Sequence, residues 1–199
     1  MALKKKTKFH HGNLRNALLA SAKALLDTEG ENGVTIRAVA REAGVSHAAP
    51  INHFSDRKSL LTALSIVLFE ELHCSIKKAL TNVSDNEEQV HVYVNSCVAY
   101  GLNHPERYKL LWRQELFEGD NPLLQSAMDH LYNDFINALG RLLGDKERDL
   151  DTVAVALWSM FHGYISMRLN GVFKPMKDTH TKEPRHQAMV RSYLKSLQA

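Results

Sequence analysis

The stretch that decides the fold is residues 35–54, TIRAVAREAGVSHAAPINHF. Threonine is a favoured helix N-cap and apolar residues follow it at helical spacing, so Thr35 to Ala43 is predicted to form a short helix. Gly44 can adopt the left-handed conformation that ends a helix, and Ser46 is predicted to cap a second short helix that reaches about Phe54. Two short helices joined by a tight turn are the layout of a helix-turn-helix, whose second helix enters the major groove of DNA.

The second predicted helix presents small and polar side chains at its N-terminal end. Ala48 and Ala49 have little bulk and let a helix approach base pairs closely, and His47, Asn52 and His53 share the same predicted helix. Pro50 is the fourth residue after the predicted cap and removes one early hydrogen bond, so we expect a short but intact helix.

The rest of the chain also predicts helices. Apolar residues recur at three- and four-residue steps, and no run alternates apolar and polar residues for the length of a strand. The sequence therefore predicts an all-α protein. The predicted helices flanking and following the motif are 13–28, 56–80, 88–103, 105–118, 121–143, 149–170 and 184–198.

Basic residues concentrate at the N-terminal end of the 199-residue chain. The whole chain has a net charge of +3, but residues 1–58 hold ten Lys and Arg against five Asp and Glu. This asymmetry indicates a polyanionic partner for the N-terminal part. The lysine-rich residues 1–10 are predicted to be a basic flexible arm, which either solubilises the chain or binds a DNA groove or phosphate.

Several protein classes are excluded at this point. The longest nearly apolar stretch, Leu60 to Phe69, is far shorter than the roughly 18 residues that a membrane span needs, and no secretory signal is evident. The two cysteines, Cys74 and Cys97, provide no disulfide framework, so we expect a cytoplasmic protein. Both cysteines lie within apolar stripes and are expected to be buried and inert rather than redox-active.

Neither a metal nor a cofactor is expected. Four histidines lie before or within the motif: His10, His11, His47 and His53. No carboxylate or cysteine completes a ligand set with them at metal-binding spacing.

The C-terminal part carries a group of aromatic and sulfur-containing side chains that suits either a core or a cavity. The residues proposed for a ligand pocket are Tyr93, Cys97, Trp112, Met128, Tyr132, Trp158, Phe161 and His162. The predicted helix 149–170 is apolar over more than one face. Such a helix needs one partner inside its own subunit and another outside it, which favours a homodimer.

The chain resembles the TetR family of bacterial transcriptional regulators. The resemblance covers about residues 11–72 and rests on the sequence AREAGVS at 40–46, on the terminal aromatic Phe54 and on the charged turn that leads into the 56–80 helix. Trp158 with His162 and Gly163 is similar to the WHG type of C-terminal domain. One departure is Ile51, which stands where the family commonly has a tyrosine and which has no hydroxyl to donate to a phosphate.

The resemblance implies two domains: a three-helix DNA-binding domain at 11–72 and a ligand-binding and dimerisation domain at 73–199. It implies DNA contacts by residues in and near the motif. The residues expected to face phosphates are Thr35, Ser46, His53 and Arg57, and those expected to face bases are His47, Ala48, Ala49 and Asn52. Arg37 and Lys58 are two further expected contacts. The implied function is a ligand-responsive regulator that binds a near-palindromic double-stranded operator as a homodimer, usually as a repressor.

Three alternatives remain open on the sequence alone. The first is an activator of the same fold. The second is a small helical enzyme that uses His162 with Tyr164 or Cys97. The third is an interaction module whose basic N-terminal part binds an acidic protein. A single DNA footprint separates the first from the other two.

Overall fold

The structure is a computed structural model that describes residues 11–144 and 149–198; the predicted arm at 1–10 lies outside the described residues. The described chain forms eight α-helices and contains no β-strand, apart from an isolated bridge between Lys177 and Pro184. The predicted all-α class is confirmed. The helices are α1 His11–Gly33, α2 Ile36–Glu42, α3 Arg57–Leu80, α4 Asn86–Asn103, α5 Pro105–Leu111, α6 Pro122–Leu143, α7 Leu150–Leu169 and α8 Arg185–Gln198, with 3₁₀ turns at Ala49–Asn52 and Gln114–Leu116.

The first helices pack into what we call the head, which comprises α1, α2, residues 43–56 and the first two turns of α3. Leu18 and Leu26 on α1, Val39 on α2 and Leu60 on α3 are fully buried together with Phe54. The helix predicted over 13–28 extends to Gly33 in the structure, with a kink near its end because Gly30 has a φ of 70° inside α1.

Helix α3 joins the head to the rest of the molecule. Its apolar residues follow a helical repeat and are at most 2% exposed at Leu64, Leu68, Leu72 and Ile76, as the sequence predicts. By length and composition alone α3 would pass for a membrane span, with a mean hydropathy of 1.4, but half of that stretch is buried inside the protein. It is therefore the central helix of a packed core.

The remaining helices form what we call the body, in which α4, α6 and α7 pack on the second half of α3 or on each other. Tyr93 on α4 stacks near Phe135 on α6, with ring centroids 4.9 Å apart, and the Tyr93 hydroxyl donates a hydrogen bond to the carbonyl of Leu131. The predicted helix 105–118 is wrong in its second half. The chain leaves the helical path at Arg113, and this lets Phe117 reach the core, where it is 2% exposed.

The two cysteines differ in burial. Cys97 is buried in the body, as predicted, and burial raises the pKa of its thiol well above the usual value. Cys74 is exposed, so the prediction that both are buried is wrong for this residue. Cys74 lies between the buried positions Leu72 and Ile76 and therefore faces outward on α3.

Candidate nucleic-acid interface and ligand pocket

The first half of the helix-turn-helix has the geometry that its sequence predicts. The Thr35 hydroxyl accepts a hydrogen bond from the Ala38 N–H at 3.1 Å and caps α2. Gly44 has a φ of 68°, in the left-handed region, and the next N–H, that of Val45, donates to the Ala40 carbonyl at 3.0 Å. The chain thus reverses tightly after α2, as a helix-turn-helix requires.

The second half, residues 46–54, is not the α-helix that we expected; we call it the recognition segment. Three of its hydrogen bonds span three residues, among them those from the Ala49 N–H to the Ser46 carbonyl at 3.0 Å and from the His53 N–H to the Pro50 carbonyl at 2.9 Å. Only the last, from the Phe54 N–H to the Pro50 carbonyl at 2.9 Å, spans four. The regular part is one 3₁₀ turn, Ala49–Asn52, and its N-cap is Ala48 rather than Ser46. Pro50 explains the difference, because it has no N–H to donate to the Ser46 carbonyl as the fourth residue of an α-helix would.

The predicted DNA-contacting residues belong to the recognition segment and to the first turns of α2 and α3. Pro50 is buried and anchors the recognition segment to the head core. Six of the predicted side chains are exposed: Arg37, Ser46, His47, Ala48, Asn52 and Lys58. Four are half-buried: Thr35, Ala49, His53 and Arg57.

Arg57, the first residue of α3, has contacts inside the head. Its Nε donates to the Val34 carbonyl at 2.9 Å, and its Nη2 donates to the Glu31 carbonyl at 2.6 Å and to the Glu31 carboxylate at 3.1 Å. Arg57 therefore ties the start of α3 to the end of α1. The side chain is 36% exposed, so its outer edge faces solvent.

A network of four charged side chains joins the head to the body. Arg107 on α5 donates to both oxygens of Asp27 on α1, at 2.7 and 2.6 Å, and its Nη1 lies 3.5 Å from Glu71 on α3. Lys23 on α1 also pairs with Glu71. The hydrogen bonds from Arg107 lower the pKa of Asp27 below its usual value. Helices α1, α3 and α5 are thus linked at one place.

The body contains a cavity of about 310 Å³ that is lined by α3, α6, α7 and the segment after α5. Trp158 lines it, with its ring centroid 5.8 Å from those of Trp112 and Tyr132, which also line it, in edge-to-face orientations. Four of the eight predicted pocket residues line this cavity, namely Trp112, Met128, Tyr132 and Trp158.

The other four predicted pocket residues lie elsewhere. Tyr93, Cys97 and Phe161 are at most 3% exposed and belong to the core of the body. His162 faces Tyr108, with its Nδ1 2.5 Å from the Tyr108 hydroxyl, and burial lowers the pKa of His162. At helical spacing these residues serve packing rather than the cavity.

Six further residues line the cavity, although no pattern in the sequence pointed to them: Phe69, Gln125, Asp129, Leu131, Val155 and Ser159. Phe69 and Leu131 are buried apolar residues that look like ordinary core in the sequence. Gln125 and Asp129 lie one turn apart on α6, and Gln125 donates to the Asp129 carboxylate at 2.7 Å. The polar residues at the rim are exposed, so the cavity opens to solvent through a polar edge.

The residues considered for catalysis do not form a nucleophile–base pair. The Tyr164 hydroxyl accepts a hydrogen bond from Arg168 at 3.0 Å, whereas the hydrogen bond of the His162 ring goes to Tyr108. Burial raises the pKa of Cys97, which disfavours the thiolate. Within residues 11–144 and 149–198, no three metal-ligating side chains of the His, Cys, Asp or Glu type cluster together.

Helix α7 leaves one face uncovered by its own subunit. The exposed or half-exposed residues follow helical spacing along this face, and a Cβ at Gly163 would meet no atom within 4 Å. At the edge of this face Met160 lines a surface groove with Met189 and Tyr193 of α8. The uncovered face consists of Thr152, Ala156, Met160, Gly163 and Met167.

Comparison with known proteins matches both halves of the chain. Residues 18–64 match the family model "Bacterial regulatory proteins, tetR family", and residues 90–193 match "Tetracyclin repressor-like, C-terminal domain". An uncharacterised HTH-type transcriptional regulator of Mycobacterium tuberculosis is 25% identical over 158 residues, which are 79% of this chain and 71% of that protein. The nucleoid occlusion factor SlmA of Vibrio campbellii is 26% identical over 148 residues, 74% of this chain and 72% of that protein.

A solved structure has the same fold over nearly the whole chain. It is a protein of unknown function from Rhodococcus sp. RHA1, with a TM-score of 0.78 and 26% identity, and the match covers 96% of this chain and 97% of that one. An all-α body behind an N-terminal helix-turn-helix defines the class of helix-turn-helix transcriptional regulators, which bind DNA. The C-terminal family model alone matches more than half of the chain, and the chain belongs to the TetR family.

Proposed function

We propose that this protein is a ligand-responsive transcriptional repressor that binds a near-palindromic DNA operator as a homodimer and acts by binding rather than by catalysis. The observation that carries the proposal is the recognition segment, which presents exposed small and polar side chains around the buried Pro50, together with the exposed basic residues Arg37 on α2 and Lys58 on α3. The cytoplasm is the compartment where such a protein meets DNA.

The proposed DNA contacts divide by chemistry. Arg37, Lys58 and the outer edge of Arg57 supply positive charge for phosphates, which position the head without selecting a sequence. His47, Ala48 and Asn52 are exposed in the recognition segment and are proposed to contact base edges. Thr35, Ser46, Ala49 and His53 complete the proposed contact surface.

DNA binding is tested by selection. The full chain is incubated with duplexes that carry a randomised 30-base-pair centre, bound DNA is amplified, and the enriched sequence is determined. We expect an enriched inverted repeat; we call the best-bound duplex the selected duplex. Enrichment of no sequence contradicts the proposal. The variant Asn52→Ala tests the proposed contact with a base, and Lys58→Ala tests the proposed contact with the DNA backbone.

The uncovered face of α7 supports the proposed homodimer. Its small residues Ala156 and Gly163 allow another helix to approach closely, and Met160 and Met167 provide apolar contact. A second copy of the same face would cover it around a twofold axis, as closed homodimers do. Two heads would then reach successive major grooves about 34–36 Å apart, or a multiple of one turn.

The cavity around Trp158 is the proposed ligand site. Its lining is mainly aromatic and apolar, and Asp129 is the only charged residue among the residues that line it. This chemistry favours a largely apolar, neutral or positively charged small molecule and disfavours an anion, which would lie unpaired beside a carboxylate. About 310 Å³ is at the lower end of volumes for small-molecule sites.

The chain offers a direct assay for ligand binding, because its two tryptophans, Trp112 and Trp158, both line the cavity. Titration with neutral 2-naphthol and with cationic tetraphenylphosphonium is expected to change tryptophan fluorescence saturably, and decanoate is expected to have no effect. Met128→Ala should weaken binding, whereas the control Met189→Ala on α8 should not. Equal responses to all three compounds contradict the proposed chemistry.

Ligand response would pass through α3. Phe69 on α3 lines the cavity and lies edge-to-face with Trp112, with ring centroids 5.9 Å apart. The same helix begins at Arg57, which holds the end of α1. A ligand that displaces Phe69 would shift α3 and change the spacing of the two heads, so that both half-sites are no longer engaged together.

The direction of regulation is tested in cells. The selected duplex is placed between a promoter and a reporter gene, with and without the protein. A repressor lowers reporter output, because the dimer occupies the DNA that transcription must pass. Raised output contradicts repression and indicates an activator of the same fold.

A further inference from the structure

The head carries an exposed apolar side chain that packing does not explain. Ile51 is 59% exposed, although it belongs to the recognition segment between buried Pro50 and exposed Asn52. The other strongly exposed large apolar residues of the described chain all lie in the body: Leu123, Val155, Met167, Val172, Phe173 and Met176. An isoleucine in the recognition segment thus exposes apolar surface where the proposed partner is DNA.

The 3₁₀ geometry places Ile51 directly beside Ala48. The Ile51 N–H donates to the Ala48 carbonyl at 3.3 Å, and in a 3₁₀ turn side chains three residues apart eclipse each other on one face. Ala48 is exposed as well. An α-helix would have rotated these two side chains about 60° apart, so the apolar pair is a consequence of the turn that Pro50 imposes.

The major groove offers one apolar group, the 5-methyl group of thymine. A branched aliphatic side chain that covered the polar donors and acceptors of other base edges would remove their water without offering a hydrogen bond, which costs free energy. Phosphates are excluded as a hydrogen-bonding partner of Ile51, since its side chain has no donor. Asn52 follows Ile51 and has the amide that matches adenine.

We propose that Ile51, together with Ala48, determines operator specificity by contacting a thymine methyl group in each half-site. This inference rests on the proposed DNA-binding function and adds the base that the segment selects. Each half-site of the operator is thus expected to require a thymine at one position, next to the position read by Asn52.

The test replaces thymine by deoxyuridine, which lacks only the methyl group, at one position at a time in each half of the selected duplex. With the wild-type chain, one symmetric position is expected to weaken binding about fourfold per half-site, as burial of one methyl group implies, and about tenfold or more when both halves are changed. With Ile51→Ala this dependence should fall to less than twofold, while Ile51→Val should retain most of it.

Two controls keep the outcomes distinct. Ile51 is exposed, so Ile51→Ala is expected to fold, and unchanged circular dichroism checks this. Ala48→Gly should reduce the uracil effect only in part. If uracil is tolerated at every position, or if Ile51→Ala shows the same uracil effect as wild type, the proposal is overturned while DNA binding stands. If no duplex can be selected, the proposed function fails, and this inference fails with it.

Discussion

Arg57 has a structural role inside the head and a proposed role at DNA phosphates, and one substitution tests both. Arg57→Ala removes three hydrogen bonds, two of them to the backbone carbonyls of Glu31 and Val34 at the end of α1. A hydrogen bond to a charged group contributes about 1.5–3 kcal/mol when buried, but Arg57 is 36% exposed, and the ion pair with Glu31 is accordingly screened. We therefore expect the free energy of unfolding to fall by about 2 kcal/mol.

The assay is urea unfolding followed by circular dichroism at one fixed protein concentration, because dimerisation makes stability depend on concentration. A loss of about 2 kcal/mol corresponds to a drop of about 4–8 °C in melting temperature for a chain of this size. Lys58→Ala is the matched control, since Lys58 is exposed on the same turn, and it should change stability by less than about 0.5 kcal/mol. An Arg57→Ala protein as stable as wild type would refute the structural role.

The phosphate role is measured separately, as the dependence of binding on salt with the selected duplex. Each lost phosphate contact lowers the slope of log K against log salt by about 0.9. Lys58→Ala should show this change with full stability, and Arg57→Ala should show it together with the loss of stability. An unchanged slope for either variant would remove that residue from the proposed set of phosphate contacts.

Three further predictions test the proposed dimer contact on α7, the contact with bases and the response to acid. Gly163→Leu should leave the fold intact but weaken dimerisation in sedimentation velocity, and a Gly163→Leu dimer of wild-type affinity would argue against a dimer contact through the uncovered face of α7. Gly101→Ala should instead lower the melting temperature, because a Cβ there would lie 2.8 Å from Ile165. Asn52→Ala should cost about 1–3 kcal/mol at one operator position, and a uniform loss on all sequences would indicate a backbone contact instead. Burial lowers the pKa of His91 below its usual value of 6.5, so the unfolded state binds more protons than the folded state as the pH falls through 6.5, and stability falls. In urea unfolding at pH 7.5 and 5.5, His91→Gln should lose less stability at the lower pH than the wild type. An equal loss in both proteins would contradict this prediction.

The long helices could be predicted from the sequence because their periodicity records burial directly. The repeat from Leu60 to Ile76 marks the inner face of α3, and Asp56 and Gly44 mark where elements begin and end. Each of these signals depends only on residues that are close in the sequence, so it is evident before the tertiary structure is known. The predicted ends of most helices accordingly agree with the structure to within a few residues.

The recognition segment and the cavity could not be predicted to the same degree. Whether Pro50 is tolerated in an α-helix or converts it to a 3₁₀ turn depends on how its ring packs in the head core, which no local pattern states. Similarly, Tyr93 and Tyr132 look equivalent in sequence, yet one is fully buried and the other lines the cavity. That difference arises from which helices meet, so it appears only in the folded chain.

In the proposed mechanism two heads of one dimer engage one operator, and the stoichiometry of the complex is the sharpest check on this. Sedimentation of the full chain with the selected duplex, and with a duplex in which one half-site is scrambled, measures chains per DNA and affinity together. We predict two chains on the intact duplex and a loss of affinity of at least a hundredfold when one half-site is scrambled, as for the loss of one of two linked binding events. One chain per duplex, or equal affinity for the intact duplex and for the duplex with one scrambled half-site, would contradict binding by two heads.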